Sequence, residues 1–219
     1  MAVFLFLGSI GKGWAGNTAF IGQSQFTTGP YSGCPGCDNP GSSAGNSASI
    51  DQTAAIDFNT ASIYQSGAGN GSYATQLGSS NTAITYLEGT EAFTGQYQSG
   101  NGNFAAIASG DVVNGFACCE PASDVQGYAY QTQFGVGNGA VLSRHTNFKF
   151  AGDPAYQNGS SQYQNGSSNG SYILQVGDQH FAGHAQVGDS NYASSSQSYI
   201  GDYVSISQLG NSNFASTVQ

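Results

Sequence analysis

The chain has 219 residues, of which 7% are charged, against about 25% in ordinary soluble domains. Gly supplies 33 positions, Tyr and Phe 13 each, and the net charge is −9 with only three Lys plus Arg. Nucleic acid and anionic membrane surfaces both demand clustered positive charge, so neither is expected as a partner.

Residues 1–15 open with an apolar run from Ala2 to Ile10, followed by Gly13-Trp14-Ala15. This resembles a secretion-signal core with small residues at its cleavage site, although no basic residue precedes the run. The run is too short to cross a bilayer as a helix, so no integral membrane insertion is expected.

Residues 16–53 are rich in Gly, Ser and Pro and carry Cys34-Pro-Gly-Cys37. Two short pieces inside this region, Asn17-Thr-Ala19 up to Gln23 and Asn46-Ser-Ala48 up to Gln52, share one internal spacing. The remaining cysteines, Cys118 and Cys119, are adjacent in sequence. An even count in a chain that reads as secreted leans towards disulfides, with three connectivities open, while free thiols and a metal site stay as alternatives. Zinc normally takes four ligands as two CxxC pairs, and the second pair here is CC.

From residue 54 to 219 the chain is an array. Stepping by 11 from Gln65 meets Gln76, Leu87, Gln98, Ser109, Glu120, Gln131, Leu142, Asp153, Gln164, Gln175, Gln186, Gln197, Gln208 and Gln219. Six residues before each mark runs an Asn column, with Asn59, Asn81, Asn103, Asn147, Asn169, Asn191 and Asn213 spaced by multiples of 22. An alternate set holds Asn70, Asn114 and Asn158, with Ala92, Val136, His180 and Asp202 in its other places. A Gly column follows the marks at Gly67, Gly78, Gly89, Gly100, Gly166, Gly177, Gly188 and Gly210. A short fixed period signals a stacked array instead of a globule. The frame is irregular over about 109–162. There Glu120 and Asp153 fall on Gln positions and Lys149 on a small-residue position, and Gln133 to Ala140 reads as a unit displaced by two.

Within one unit, Asn213, Ala215, Thr217 and Gln219 alternate, and residues at i, i+2 and i+4 share one strand face. Asn, a small residue, a variable residue and Gln therefore point inward together, and the stretch from Gln to the next Asn reads as a turn. The expected fold is all-β: a β-solenoid of strand-turn-strand rungs, 22 residues per rung and two 11-residue units each, cross-β and fibre-forming. Residues 22 apart become vertical neighbours, so each amide meets an identical amide above and below. The outward position after each Asn is often aromatic: Phe104, Phe148, Tyr192 and Phe214 in one column, Phe93, Phe181 and Tyr203 in the other. These make exposed stripes.

Catalytic signals are weak. No Gly-x-Ser-x-Gly, HExxH or P-loop pattern occurs. His180 and His184 lie four apart, which on a strand separates them by about 13 Å, too far to share an ion, and Asp178 and Asp189 fall in turns. No catalytic residue, metal or cofactor is expected. Unpaired charge in a core is costly, so a register break is expected near Glu120, Lys149 and Asp153.

Gln186-Val-Gly188-Asp-Ser-Asn191-Tyr-Ala193-Ser-Ser-Ser-Gln197, with its counterparts at 65–76, 98–109 and 208–219, resembles the curlin repeat of bacterial curli fibres. The resemblance covers roughly 54–219, with fragments at 12–23 and 41–52. It implies a secreted, extracellular, non-enzymatic subunit that polymerises with itself into biofilm and adhesion fibres. By the same resemblance, a nucleator subunit and an outer-membrane secretion pore are implied as partners. Independently, open strand edges template pairing, and the last unit is near consensus instead of a polar cap. The rival readings are a monomeric secreted β-solenoid that binds a glycan or surface ligand, and a solenoid hydrolase, for which no acid cluster is visible.

Overall fold

A computed structural model describes residues 17–24, 46–53, 58–90, 92–110, 127–145 and 158–219. Among these residues there are fifteen strands and no helix, so no helix is long and apolar enough to cross a membrane. Eight strands make one parallel sheet: β1 (Thr18–Ser24), β3 (Thr60–Ala68), β5 (Thr82–Thr90), β7 (Phe104–Gly110), β9 (Gly139–His145), β11 (Gly170–Asp178), β13 (Tyr192–Ile200) and β15 (Phe214–Val218). Seven make the other: β2 (Ser47–Thr53), β4 (Gly71–Ser79), β6 (Phe93–Asn101), β8 (Tyr128–Val136), β10 (Gly159–Ser167), β12 (Phe181–Val187) and β14 (Tyr203–Leu209). Odd and even strands thus alternate between the sheets, and each strand pairs in register with the strand two places on. This is a β-solenoid.

The period-2 alternation decides what is inside. In β12 every second side chain is buried and most of those between are partly exposed, and in β14 Val204 and Gln208 are buried, Ile206 is partly buried and the alternate side chains are exposed. Ala61, Ala83, Ala105, Ala140 and Ala193 are wholly buried and stack in one column of the odd sheet. Behind them Ile63, Thr85, Ile107, Leu142, Ile173 and Ser195 form a second buried column. Small side chains in one layer let the facing sheet approach, and the larger column fills the space left.

The step from one odd strand to the next is 22 residues at Asn59 to Asn81, but 35 from Asn103 to Asn138 and 31 from Asn138 to Asn169. The register therefore breaks inside the irregular stretch, and the frame count is corrected there. Asn138 stands in the column where stepping by 22 placed Asn147, and Asn147 itself lies outside the described residues, as do Asn114, Phe148, Glu120, Lys149 and Asp153. Leu142 is not in the Gln column but in the apolar one, and Arg144 takes the Gln place opposite Gln175. Gln131 pairs with Gln96, while Gln133 pairs with Gln98. Val136 is on the outside, half exposed.

The long connections, β1 to β2, β7 to β8 and β9 to β10, all run from the odd sheet to the even one. The strands on either side of each long connection keep the same in-register pairing as elsewhere.

The strands also run past Gln, where a turn was expected. Gly78 pairs with Gly100 and Gly100 with Gly135 while still inside β4, β6 and β8. Gly100 has φ 125°, a conformation open to Gly and strained for other residues. A Cβ there would run into the Gly135 carbonyl. The turn proper shrinks to the residue before each Asn, where Ser80, Ser168, Ser190 and Ser212 take φ near 57°.

Candidate assembly ladders and open edges

Asn17, Asn59, Asn81, Asn103, Asn138, Asn169, Asn191 and Asn213 stand one above another at the corner that opens each odd strand. The backbone N–H of each donates to the side-chain oxygen of the Asn one rung earlier, at 3.0 Å for Asn59 on Asn17 and 2.9 Å for Asn81 on Asn59, and likewise up to Asn213 on Asn191. The same amides donate to turn carbonyls: Asn81 to Gly100, Asn103 to Gly135, Asn169 to Gly188 and Asn191 to Gly210. Each Asn therefore satisfies a backbone donor that the corner would otherwise leave without a strand partner.

The even sheet carries an unbroken Gln column. Gln52, Gln76, Gln98, Gln133, Gln164, Gln186 and Gln208 are joined from Nε2 to the next Oε1 at 2.8 or 2.9 Å. Each also donates its second amide hydrogen to the first residue of the preceding odd strand, as Gln98 does to the Thr82 carbonyl at 2.9 Å and Gln208 to that of Tyr192 at 2.9 Å. One side chain thereby links neighbouring rungs and ties the two sheets together. In the odd sheet the column is Gln23, Gln65, Leu87, Ser109, Arg144, Gln175, Gln197 and Gln219. Gln65, Gln175 and Gln197 bond to the Ser47, Gly159 and Phe181 carbonyls. Buried Arg144 donates from Nη1 to the Asn158 carbonyl at 2.8 Å and that of Tyr128 at 3.3 Å.

A second amide column runs through Gln96, Gln131 and Gln162, bonded at 3.0 and 2.7 Å. His184 follows it. Gln162 Nε2 donates to Ser171 Oγ, which lies 2.9 Å from His184 Nδ1, and His184 Nε2 lies 2.9 Å from Ser195 Oγ. Both ring nitrogens of His184 are therefore hydrogen-bonded to buried serine hydroxyls. Burial pushes the imidazole pKa down to about 4. His180 stands in the even-sheet corner column between Asn158 and Asp202, its Nδ1 3.6 Å from the Asp202 carboxylate. The two histidines therefore serve separate places, and no group of three or more His, Cys, Asp or Glu among the described residues could hold a metal.

Of the turn glycines, Gly78, Gly100, Gly166, Gly177, Gly188 and Gly210 have positive φ, and Gly67 pairs with Gly89. Cys34, Cys37, Cys118 and Cys119 lie outside the described residues. Asn17, Asn46, Asn138, Gln23, Gln52 and Gln133 sit off the 11-residue frame, in the short pieces and the displaced unit that the sequence already set apart, and the structure places them in the columns. Their signal was the recurring Asn-x-Ala spacing of the short pieces. The second amide column could have been found from Gln-x-Gln at 96–98, 131–133 and 162–164. Nothing in the sequence signals Arg144.

On the outside, Tyr192 stacks on Phe214 at 5.4 Å between centroids, Phe181 on Tyr203 at 5.1 Å and Tyr64 on Tyr86 at 5.0 Å. Burial, and then the nearby Tyr130, raise the Tyr73 phenol pKa. The outermost strands are β1 and β15 in one sheet and β2 and β14 in the other. At the β14–β15 end the apolar exposure climbs: Tyr192 is 43% exposed but Phe214 above it 73%, and Val187 39% but Leu209 81%.

Comparison with curated proteins found no match, and comparison with solved structures found none either. The family model described as Curlin associated repeat matches residues 59–84, which span β3, β4 and the start of β5. At residues 59–84 the stacked strand-turn-strand unit, with its Asn and Gln columns, is therefore similar to the curlin associated repeat.

Proposed function

We propose that this chain is a structural subunit of an extracellular, curli-like amyloid fibre that grows by stacking copies end to end. The observation that carries this reading is the pair of strand edges, each ending in ladder groups that match the other. Gln208 Nε2 is the donor side of a column whose first member, Gln52, presents Oε1; Asn213 Oδ1 is an acceptor of the kind that each corner N–H uses. A strand edge with matching side chains templates another strand, and a head-to-tail contact that does not close makes a filament. The curlin associated repeat at 59–84 supports a structural, non-enzymatic role. Biofilm and adhesion roles, export through an outer-membrane pore, start-up on a nucleator subunit and a cell-surface location belong to the same reading, and so do the inward amides as its functional residues.

The test is assembly from denaturant under reducing conditions, followed by thioflavin fluorescence, seeding and fibre diffraction. A lag that preformed fibres abolish, with a meridional reflection near ~4.8 Å, supports it. A folded monomer that never seeds overturns it in favour of a solenoid that binds a ligand on its aromatic stripes.

A further inference from the structure

On the outer face of the even sheet, one column sets a glycine between two tyrosines. Tyr73 of β4 pairs with Gly95 of β6, and Gly95 pairs with Tyr130 of β8. Partners in register across parallel strands share a face, so all three positions look outward. Gly95 is buried nonetheless, because the Tyr73 ring lies over it. A Cβ on Gly95 would run into Tyr73 Cζ, Oη and Cε1. Gly95 is thus the bed on which Tyr73 lies along the sheet, its hydroxyl end towards β8.

Two rungs stand about 9.6 Å apart, yet the Tyr73 and Tyr130 ring centroids are 6.5 Å apart, with the planes tilted by 41°. The two phenols also sense each other, since Tyr130 adds to the effect of burial in raising the Tyr73 pKa. Both rings are exposed to solvent.

Other ring contacts are less suited to joining. Tyr64 and Tyr86 lie face to face, 5.0 Å apart and 10° from parallel, so a bond between ring edges requires one of them to leave the stack. Tyr128 is 6.1 Å from Tyr130, but its hydroxyl end leans over Gly159 of β10, away from β8. Tyr97 and Tyr163 each meet Phe134, Tyr192 meets Phe214 and Tyr203 meets Phe181. Phenylalanine has no phenol to oxidise.

We propose that Tyr73 and Tyr130 form an oxidative cross-linking site, at which a one-electron oxidant of the haem peroxidase class, supplied with hydrogen peroxide, joins the two rings as dityrosine. Each phenol gives up one electron and its hydroxyl proton. The resulting phenoxyl radical shares its unpaired electron with the ring carbons beside the C–O carbon, the Cε positions. The two radicals pair to form one Cε–Cε bond. Each bonded carbon then releases its hydrogen as a proton and each oxygen takes one up, which restores both phenols. In all, two electrons and two protons leave, and they reduce one hydrogen peroxide to two waters. The bond ties β4 to β8 and so holds together the rungs on either side of the long β7–β8 connection. It needs the folded solenoid alone and is independent of fibre growth.

The test treats the folded full-length chain, monomeric or assembled, with a haem peroxidase and hydrogen peroxide. Cross-links are mapped by digestion and mass spectrometry, with dityrosine fluorescence as a second readout. The expected main product is a joined pair of peptides carrying Tyr73 and Tyr130, lighter by two hydrogens than its separate parts. In denaturant that preference should be lost. Gly95→Ala keeps both tyrosines and suits a strand better than Gly, but its methyl lifts Tyr73 off its bed. The folded variant should therefore lose the Tyr73–Tyr130 product. Undiminished coupling in that variant overturns the proposal. So does the absence of dityrosine in the unsubstituted chain, a preference for Tyr64 with Tyr86, or a spread of cross-links like that in denaturant. Mapping of the unsubstituted chain decides the matter should Gly95→Ala fail to fold.

Discussion

Gln98 donates to Gln133 at 2.9 Å across 35 residues of sequence, and Gln76 donates to Gln98 at 2.8 Å across 22. The bond is the same although the chain between its ends differs by more than half. What is maintained along this molecule is the vertical meeting of amides, and the sequence distance between them is free to vary where the rim permits.

Replacing Gln98 by Leu keeps the volume close but removes both ends of this arrangement. Gln76 loses its acceptor, Gln133 its donor, and the Thr82 carbonyl its sheet-to-sheet bond. Each buried group left without a partner costs about 1–3 kcal/mol, so a loss of about 3 kcal/mol or more is expected in the denaturation midpoint of the assembled protein. The same change at exposed Ser205 should be nearly silent. Equal effects at the two positions would remove the energetic role of the column.

Gly100→Ala tests the corner. Its φ of 125° is strained for Ala, and the added methyl meets the Gly135 carbonyl. Backbone strain of this kind costs about 1–3 kcal/mol, and the clash adds to it. Gly102→Ala at the same turn has open space around it, although its φ of 65° is also positive. The double comparison separates strain from collision: Gly100→Ala should slow assembly and lower stability clearly more than Gly102→Ala.

Acid should loosen the fold through His184. The folded-state pKa is about 4, against about 6.5 for an unfolded His. Between these values the unfolded chain binds the proton and the folded chain does not. Stability is therefore fully present above pH 6.5 and falls as the pH drops towards 4, by at most about 3 kcal/mol. His184→Gln places an amide after Gln162 in its column and removes this titration, so its stability should lose that slope between pH 6.5 and 4. An unchanged slope would assign the acid sensitivity to other groups.

The rim gives a deletion test. Removing residues 112–124 would turn the 35-residue step between Asn103 and Asn138 into the common 22. Loop closure depends weakly on length, by about 0.6 kcal/mol per doubling. Assembly should therefore persist, with stability changed by no more than about 2 kcal/mol. Removing the same number of residues from the clean array at 170–182 destroys a strand and should abolish it.

The fold was legible because alternation and period agree wherever the step stays at 22. Asn59, Asn81 and Asn103 follow one another by counting, and so do Asn169, Asn191 and Asn213. Counting failed where the chain adds residues at the rim, since a fixed stride cannot detect that 35 and 31 together equal three steps of 22. That coincidence restored the frame beyond the break and made Asn147 look like a member in place of Asn138. Arg144 was hidden for the same cause, as its place opposite Gln175 exists only in the shifted register. The reach of the strands through Gly78 and Gly100 was missed because Gly reads as a turn residue, whereas parallel pairing here tolerates a positive φ when the neighbour above has one too.

The even-sheet amides all donate from the lower-numbered residue to the higher, from Gln52 to Gln208. The column is therefore an arrow. This column ends in an amide hydrogen at Gln208 and an amide oxygen at Gln52, while the Asn corner column points the opposite way and leaves an oxygen at Asn213, so the two ends of the solenoid are different chemical surfaces. In the proposed fibre, a molecule added the wrong way round would set Gln donor against Gln donor, so the column gives growth a direction.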